Sequence, residues 1–244
     1  MTDNIFERVA ENLKKIEQQS FADNPLSEKY FEISNATKKI GRHFPQTESI
    51  SLYNAHAIPF HEFPRIKIEF KEVRIHDASK LTDCISDAAI SAHGFILSDK
   101  ALEVFRKYDL GTYQIYPMNL FHKNVKYDYG FLHILNNIID LIDFERSTFF
   151  VEKLIGGYAF DIKIKDKADF IEKRKLAGDG TLEGTEKWWD VSFKSAVFKN
   201  VKTPDFFNLT GCGIKKFITK NLKEEIYKNK LTGFEIMPTP IIVQ

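Results

Sequence analysis

Residues 94–105, GFILSDKALEVF, predict a short buried strand that runs directly into a capped helix. The strand is indicated by three consecutive apolar residues, Phe95–Leu97. Ser98 and Asp99 follow, and both residue types favour a helix N-cap because their side-chain oxygens accept from free backbone N–H groups. Beyond them, apolar residues recur at helical spacing, at Ala101, Leu102, Phe105 and Tyr108. The stretch is therefore a structural joint of a mixed α and β fold and not a reaction centre.

The composition is that of a folded chain with balanced charge. Of 244 residues, 43% are hydrophobic and 14% aromatic, which is enough for a sizeable core. The 35 basic and 34 acidic residues give a formal net charge of +1. A nearly neutral chain lacks the electrostatic attraction by which proteins bind nucleic acids or anionic membranes. We therefore expect neither a nucleic acid nor a membrane as the main partner.

The charge is unevenly distributed along the chain. Residues 77–145 hold ten acidic and six basic residues, whereas residues 191–230 hold nine basic and three acidic ones. If folding keeps these two segments apart, the surface is dipolar and can steer a charged partner. The alternative is that both sets are ordinary solvated side chains.

Neither the cysteines nor the N-terminal residues indicate an exported protein. Cys84 and Cys212 lie far apart and outside any Cys-x-x-Cys spacing, which indicates neither a disulfide framework nor a zinc site. The first residues, MTDNIFERVAENLKK, carry charges where a secretory signal needs an apolar run. No window approaches the ~18 apolar residues of a membrane-spanning helix. We expect a cytoplasmic protein.

The apolar pattern predicts an α+β fold, with mixed or antiparallel sheets and a few packed helices. Residues 1–28 are predicted to form an N-terminal helical extension, and residues 29–244 a single domain. Residues 66–75 alternate as a half-buried strand does, with a slip between Phe70 and Val73 that predicts a bulge. Near the C-terminus, a helical stripe predicts a long helix marked by Ile214, Phe217, Ile218, Leu222 and Ile226.

The best candidate contact surface is a pair of tryptophans beside a glycine-rich loop. Residues 177–184, AGDGTLEG, predict a loop that is a candidate flexible insertion, and Trp188 and Trp189 follow it. Tryptophan supplies much of the binding energy at interface hot spots. Since neighbours in a strand point to opposite faces, one of the pair is expected to be a core residue. We therefore predict a partner-binding role for Trp188 and Trp189, with an ordinary core role as the alternative.

Candidates for metal binding are His56, His61 and Glu62, which lie beside two prolines. They lack the i,i+4 helical pairing that makes a metal-binding helix persuasive, so ordinary loop histidines are the alternative. We therefore predict no metal site from the sequence.

Two further patterns suggest chemistry only weakly. Asp140, Asp143 and Glu145 resemble paired carboxylates for acid–base work, but they interleave with apolar residues as exposed turns do. Gly211 and Gly213 precede the predicted C-terminal helix and resemble the start of an anion site, or simply a helix entry. We therefore predict no catalytic residue and no cofactor.

Four stretches of the chain, GFILSDKALEVF, YPMNL, YGFLHILNNIIDLIDFERSTF and KLTGFEIMP, resemble the bacterial immunity proteins of polymorphic toxin systems. The family concerned is the large Imm family formerly catalogued as a domain of unknown function. Its pattern joins an apolar-Ser-x-Lys helix start, an Asp-rich segment ending in Ser, and a Leu-Thr-Gly-apolar motif. Here these elements are Phe95–Lys100, Ile138–Ser147 and Leu231–Phe234, within a similar region that covers Lys29–Pro238.

The resemblance implies a cytoplasmic, non-enzymatic α+β protein that binds one secreted antibacterial toxin domain, its cognate toxin, and blocks it. It implies no catalytic residue, metal or cofactor, and it leaves the binding face and the oligomeric state open. Two rival functions stay open as well. One is a metal-dependent hydrolase or nuclease that uses His56, His61 and Glu62, and the other is a small-ligand-binding module in which the two tryptophans form a stacking platform.

Overall fold

The computed structural model describes residues 26–53, 58–59, 62–87, 90, 92, 94–153, 157–213 and 215–243. The helix predicted for the N-terminal extension falls in residues 1–25, which lie outside these ranges. No helix within the described ranges is long and apolar enough to cross a membrane.

The described residues form an α+β fold in which sheet predominates, with fourteen strands and three α-helices. The helices are α1 (Asp99–Phe105), α2 (Lys167–Asp179) and α3 (Lys220–Lys228). The strands are β1 (Tyr30–Asn35), β2 (Thr47–Tyr53), β3 (Glu69–Ile75), β4 (Cys84–Ile85), β5 (Gly94–Ser98), β6 (Tyr113–His122), β7 (Val125–Ile134), β8 (Thr148–Glu152), β9 (Tyr158–Ile162), β10 (Asp190–Val197), β11 (Phe206–Asn208), β12 (Lys216–Thr219), β13 (Phe234–Pro238) and β14 (Ile242–Val243).

The strands assemble into three sheets. The middle sheet has the strand order β11-β12-β1-β13, the second sheet β14-β10-β8-β9, and the large sheet β2-β3-β6-β7-β5-β4. The large and second sheets are mixed, since β3 pairs with β6 and β10 with β14 in parallel while the other pairs are antiparallel. The predicted slip between Phe70 and Val73 is confirmed as a shift of register between β3 and β6.

The middle sheet lies between two hydrophobic cores, because alternate residues of a strand point to opposite faces. Tyr30 and Phe217 belong to the first core, with α2 and the second sheet. Phe31 and Ile218, their neighbours in sequence, belong to the second core, with α1, α3 and one face of the large sheet. The opposite face of the large sheet forms the third core, which includes Phe131.

The predicted joint at residues 94–105 is confirmed as strand β5 followed by helix α1. Ser98 is the N-cap, and its hydroxyl accepts from the backbone N–H of Ala101 at 3.2 Å. Phe95 and Leu97 point into the second core, whereas Ile96 points into the third. A strand buried on both faces explains why these three apolar residues are consecutive.

The two short sequence motifs at Phe95–Lys100 and Leu231–Phe234 meet at Asp83. The carboxylate of Asp83 accepts from the Ser98 hydroxyl at 2.9 Å and from the Thr232 backbone N–H at 2.8 Å. At Gly233 a Cβ atom would lie 2.1 Å from the carbonyl oxygen of Cys84, so only glycine fits. These motif residues therefore hold β4, β5 and β13 together.

The long C-terminal helix is wrong in its first part. Residues Lys216–Thr219 form strand β12, and α3 spans only the nine residues Lys220–Lys228. Phe217 and Ile218 are both fully buried, but in different cores, as strand alternation requires. A short apolar run fits both the helical and the strand periodicity, and here pairing within the middle sheet makes it a strand.

Candidate functional site

The tryptophan pair lies at the end of the segment that joins α2 to β10. The predicted loop over residues 177–184 begins later than expected, because Ala177–Asp179 complete α2. Gly180 ends the helix in the left-handed conformation, with a φ of 69°. A Cβ atom at Gly180 would lie 2.7 Å from the backbone nitrogen of Lys187, so the two ends of the loop touch.

This loop is held to the protein by hydrogen bonds and by one apolar anchor. The N–H groups of Thr181 and Leu182 donate to the carbonyl of Leu176 at 2.9 and 3.1 Å. The N–H and the hydroxyl of Thr185 donate to the carbonyl of Leu182 at 3.0 and 2.6 Å. The side chain of Leu182 packs against the first core. The segment is thus a bonded turn seated on the core.

Trp188 is the most exposed large hydrophobic side chain among the described residues, with 71% of its surface accessible. Its N–H donates to the carbonyl of Gly178 at 2.9 Å. It is the third residue of a β-turn that the N–H of Trp189 closes on the carbonyl of Glu186 at 3.4 Å. Its φ of 72° lies in the left-handed region, which for a bulky residue is a genuine outlier. The turn therefore fixes the indole outward at a cost in backbone strain.

Trp189 has the opposite role. Its side chain is partly buried and packs against the first core. The ammonium group of Lys153 lies 5.9 Å from the centre of its ring, a cation–π distance. The expected division into one inward and one outward tryptophan is what the structure shows, while the partner role of the pair stays a prediction.

An ion pair fixes the base of this surface. Arg174 of α2 donates from Nε and Nη2 to the two carboxylate oxygens of Asp190, at 2.7 and 2.5 Å. Asp190 is the first residue of β10 and lies two positions after Trp188. The guanidinium also lies 5.7 Å from the ring centre of Phe170, which is fully buried in the first core. A two-point contact of this kind holds the turn at a defined angle to α2.

A second exposed apolar side chain, Ile171, lies on the face of α2 that also carries Gly178. Ile171 is 52% exposed and precedes Gly178, the partner of Trp188, by seven residues. Seven residues make nearly two helical turns, about 10 Å along one face of the helix. The surface defined by Ile171 and Trp188 is called here the Trp188 surface.

Among the described residues, the other predicted site residues form no metal site, although Asp140, Asp143 and Glu145 line one cavity. Glu62 is 63% exposed and has Arg65 at 3.9 Å, while His56 and His61 lie outside the described residues. Within the part of the chain that the structure describes, no three His, Cys, Asp or Glu side chains are placed to hold a metal ion. Asp140 pairs with Lys167 at 2.7 Å and Asp143 with Arg146 at 4.0 Å, as surface charges do.

The glycines at 211 and 213 do not begin a helix, so both interpretations of this stretch, a simple helix entry and the start of an anion site, are wrong. The next regular element is strand β12. A Cβ atom at Gly211 would lie 2.6 Å from the Phe170 ring, which explains this glycine by close packing in the first core. Both cysteines are buried, and burial raises the pKa of the Cys84 and Cys212 thiols, so neither is a ready nucleophile.

The structure also shows a feature that sequence reasoning missed. A cavity of 380 Å³ lies beside residues 36–40 and is lined by Lys38, Lys39 and Lys80. The adjacent lysines at 38 and 39 are its only local signal in the sequence, since Lys80 joins them through the fold.

Comparison with known proteins assigns no family to the chain, because no protein-family model and no curated protein matches it.

Proposed function

We propose that this protein is an immunity protein that binds a cognate secreted antibacterial toxin domain in the cytoplasm and neutralises it without catalysing a reaction. The Trp188 surface is its principal contact in this proposal. The proposal starts from the resemblance of Phe95–Lys100 and Leu231–Phe234 to the Imm family pattern. The observation that carries it is the strained, fully presented indole of Trp188.

An exposed tryptophan on a fixed turn is suited to protein binding for two physical reasons. Burying the exposed part of an indole, about 150 Å², contributes about 3–4 kcal/mol at roughly 25 cal/mol per Å². The hydrogen bond of the Trp188 N–H to Gly178 and the Arg174–Asp190 pair hold the backbone of the turn that carries the indole. A preorganised backbone leaves less conformational entropy to be lost on association.

The function is tested by genetic context and coexpression. We expect a neighbouring upstream gene to encode a large secreted protein with a C-terminal toxin domain. Coexpression of the present protein with that domain should restore the growth of cells that the toxin otherwise stops. The absence of both the neighbour and the rescue would overturn the proposal.

The binding surface is tested with purified toxin domain and two matched variants. Trp188→Ala should raise Kd at least about 30-fold, which corresponds to about 2 kcal/mol. Tyr227→Ala is the control, because Tyr227 is 56% exposed and lies on α3, which packs on the second core. Calorimetric titration measures both Kd values. If the wild type rescues growth but the two variants have equal Kd, the proposed function is retained and the Trp188 surface is refuted.

A further inference from the structure

The cavity at residues 36–40 lies where three segments meet. Lys38 and Lys39 come from the loop after β1, Lys80 from the segment before β4, and Thr232 and Phe234 from the start of β13. The two basic segments are joined by the N–H of Lys80, which donates to the carbonyl of Ile40 at 2.7 Å. The cavity measures 380 Å³, within the range of small-molecule sites.

Its lining carries positive charge without a compensating carboxylate. Lys38, Lys39 and Lys80 are all exposed, and no acidic residue lines the cavity. Among the described residues, none of these three ammonium groups has a carboxylate within ion-pair distance. Asp83 is not part of the lining, but its carboxylate accepts from the N–H and the hydroxyl of the lining residue Thr232 and from the Ser98 hydroxyl. Asp77 lies on the same segment as Lys80 and also lies outside the lining.

Two other cavities of similar size show how different this is. One, of 370 Å³, sets Asp140, Asp143 and Glu145 against three lysines, with Lys167 bonded to Asp140 at 2.7 Å. The other, of 470 Å³, is lined by three lysines together with Glu28 and Asp205. In both, acidic side chains share the lining with the lysines. The cavity beside Lys39 lacks that balance.

The backbone also places Lys39 at a cost. Its φ is 65°, in the left-handed region that favours glycine. Gly41, two residues later, presses the loop onto the neighbouring segment, since a Cβ atom there would lie 2.5 Å from the Cα of Ser79. Backbone strain that a glycine would relieve is a reason to look for a function of the side chain. At position 39 the side chain is the cationic lysine.

We propose that this cavity binds a small molecule that carries a phosphate monoester. A monoester has a charge of about −1.5 to −2 near neutral pH, so it offsets about half to two thirds of the charge of three ammonium groups. A carboxylate carries one charge and offsets about a third. The wall formed by Ile40, Leu81 and Phe234 gives the organic part of the ligand an apolar contact. This inference is independent of toxin binding and of the Trp188 surface.

The first test uses phenyl phosphate as the probe and benzoate as the matched carboxylate, at constant ionic strength. At ten times its dissociation constant, phenyl phosphate should raise the melting temperature by about 3–6 °C. Benzoate should raise it by less than 1 °C, roughly, because it brings a single charge. An equal shift with benzoate, or no shift with phenyl phosphate, would overturn the proposal.

The second test uses variants that change charge and not folding. The double variant Lys38→Gln with Lys80→Gln should raise the Kd for phenyl phosphate at least about tenfold. The control is Lys29→Gln with Lys202→Gln, in the cavity that Glu28 and Asp205 also line, and it should leave this Kd unchanged. Lys39→Gly removes a charge while relieving backbone strain, so it should weaken binding without lowering the melting temperature. Unchanged affinity in Lys39→Gly and in the double variant would refute the site.

Discussion

Two of the surface loops that the structure describes combine a non-glycine residue in the left-handed conformation with a candidate binding group, and they present opposite chemistry. In one, Trp188 has a φ of 72° and exposes an apolar ring above the first core. In the other, Lys39 has a φ of 65° and adds charge to a cavity with two further lysines. The same backbone conformation, a positive φ, thus presents an apolar side chain in one loop and a charged side chain in the other.

The remaining positions of this kind have ordinary explanations. Lys123 and Asn124, with φ of 50° and 63°, form the two-residue turn between β6 and β7, where a tight hairpin requires positive φ. Lys230, with a φ of 52°, follows the end of α3, where helices commonly finish in this conformation. Among the residues that the structure describes, Lys39 and Trp188 are the two positions where a positive φ accompanies a candidate binding group.

The largest expected effect comes from removing the support beneath one loop only. Phe170→Ala opens a hole in the first core among Phe149, Phe193 and the Gly211 backbone. We expect the free energy of unfolding to fall by about 3–5 kcal/mol. Urea denaturation measures this loss. Phosphate binding at the Lys39 cavity should survive in the folded fraction, and its disappearance together with toxin binding would mean that the loops are not independent.

Acid should destabilise the fold through one buried histidine, His133. His133 is completely buried beside Phe63, Tyr116 and Phe131, and neither ring nitrogen makes a hydrogen bond of good geometry within the described residues. Burial lowers the pKa of His133 from 6.5 to about 4, an effect that the Pro59 backbone opposes only in part. The indole of Trp188 has no group that ionises in this range.

The sign of the acid effect follows from proton uptake. Below pH 6.5 the unfolded chain protonates this imidazole, whereas the folded protein does so only near pH 4. The free energy of unfolding should therefore fall by up to about 3 kcal/mol between these pH values. His133→Phe should remove that part of the loss when urea denaturation is compared at pH 7 and pH 4.5. An identical loss in the variant would assign acid sensitivity to other groups.

A smaller effect tests the ion pair that braces the Trp188 loop. Arg174→Met keeps the aliphatic stem and removes both bonds to Asp190. Because both side chains are partly exposed, we expect a loss of only about 1 kcal/mol in unfolding free energy. Toxin affinity should fall as well, since the turn is held less firmly. Lys194→Met is the control, because it removes a similarly exposed ion pair between Lys194 of β10 and Asp161 of β9.

The smallest effect separates strain from contact at the two left-handed positions. Trp188→Gly and Lys39→Gly should each raise the free energy of unfolding by about 0.5 kcal/mol, because glycine adopts positive φ freely. Each should nevertheless abolish or weaken binding at its own loop only. Thermal melting measures the gain, and a loss of stability in either variant would show that the side chain supports the fold.

Local sequence predicted those parts of the molecule that local chemistry determines. The joint at Gly94–Phe105 was predictable because Ser98 has one preferred use before a helix and the apolar run before it suits a buried strand. The bulge near Phe70 followed from a change in alternation that no regular strand allows. The choice of Trp188 and Trp189 as candidate contact residues followed from their type and from the loop before them, but the sequence did not predict which of the two is exposed.

The predictions that were wrong or missing concern residues whose structure depends on partners distant in sequence. Phe217 and Ile218 fit a helical stripe equally well, and only the middle sheet, with a core on each face, made them a strand. Gly211 was open to interpretation as an anion site until Phe170, forty-one positions earlier, occupied the space beside it. Lys80 carries no signal of its own, because it comes close to Lys39 only through tertiary contacts such as its backbone bond to Ile40 and the approach of Gly41 to Ser79.

By itself, the sequence determined the α+β class, the capped joint and the presence of an aromatic pair worth testing, since these depend on residue type and short-range spacing. The tertiary structure alone decided which tryptophan is exposed, which lysines share a cavity and which histidine is sealed from water. Those properties depend on contacts between segments far apart in the chain, and burial and charge balance are set only when such segments meet.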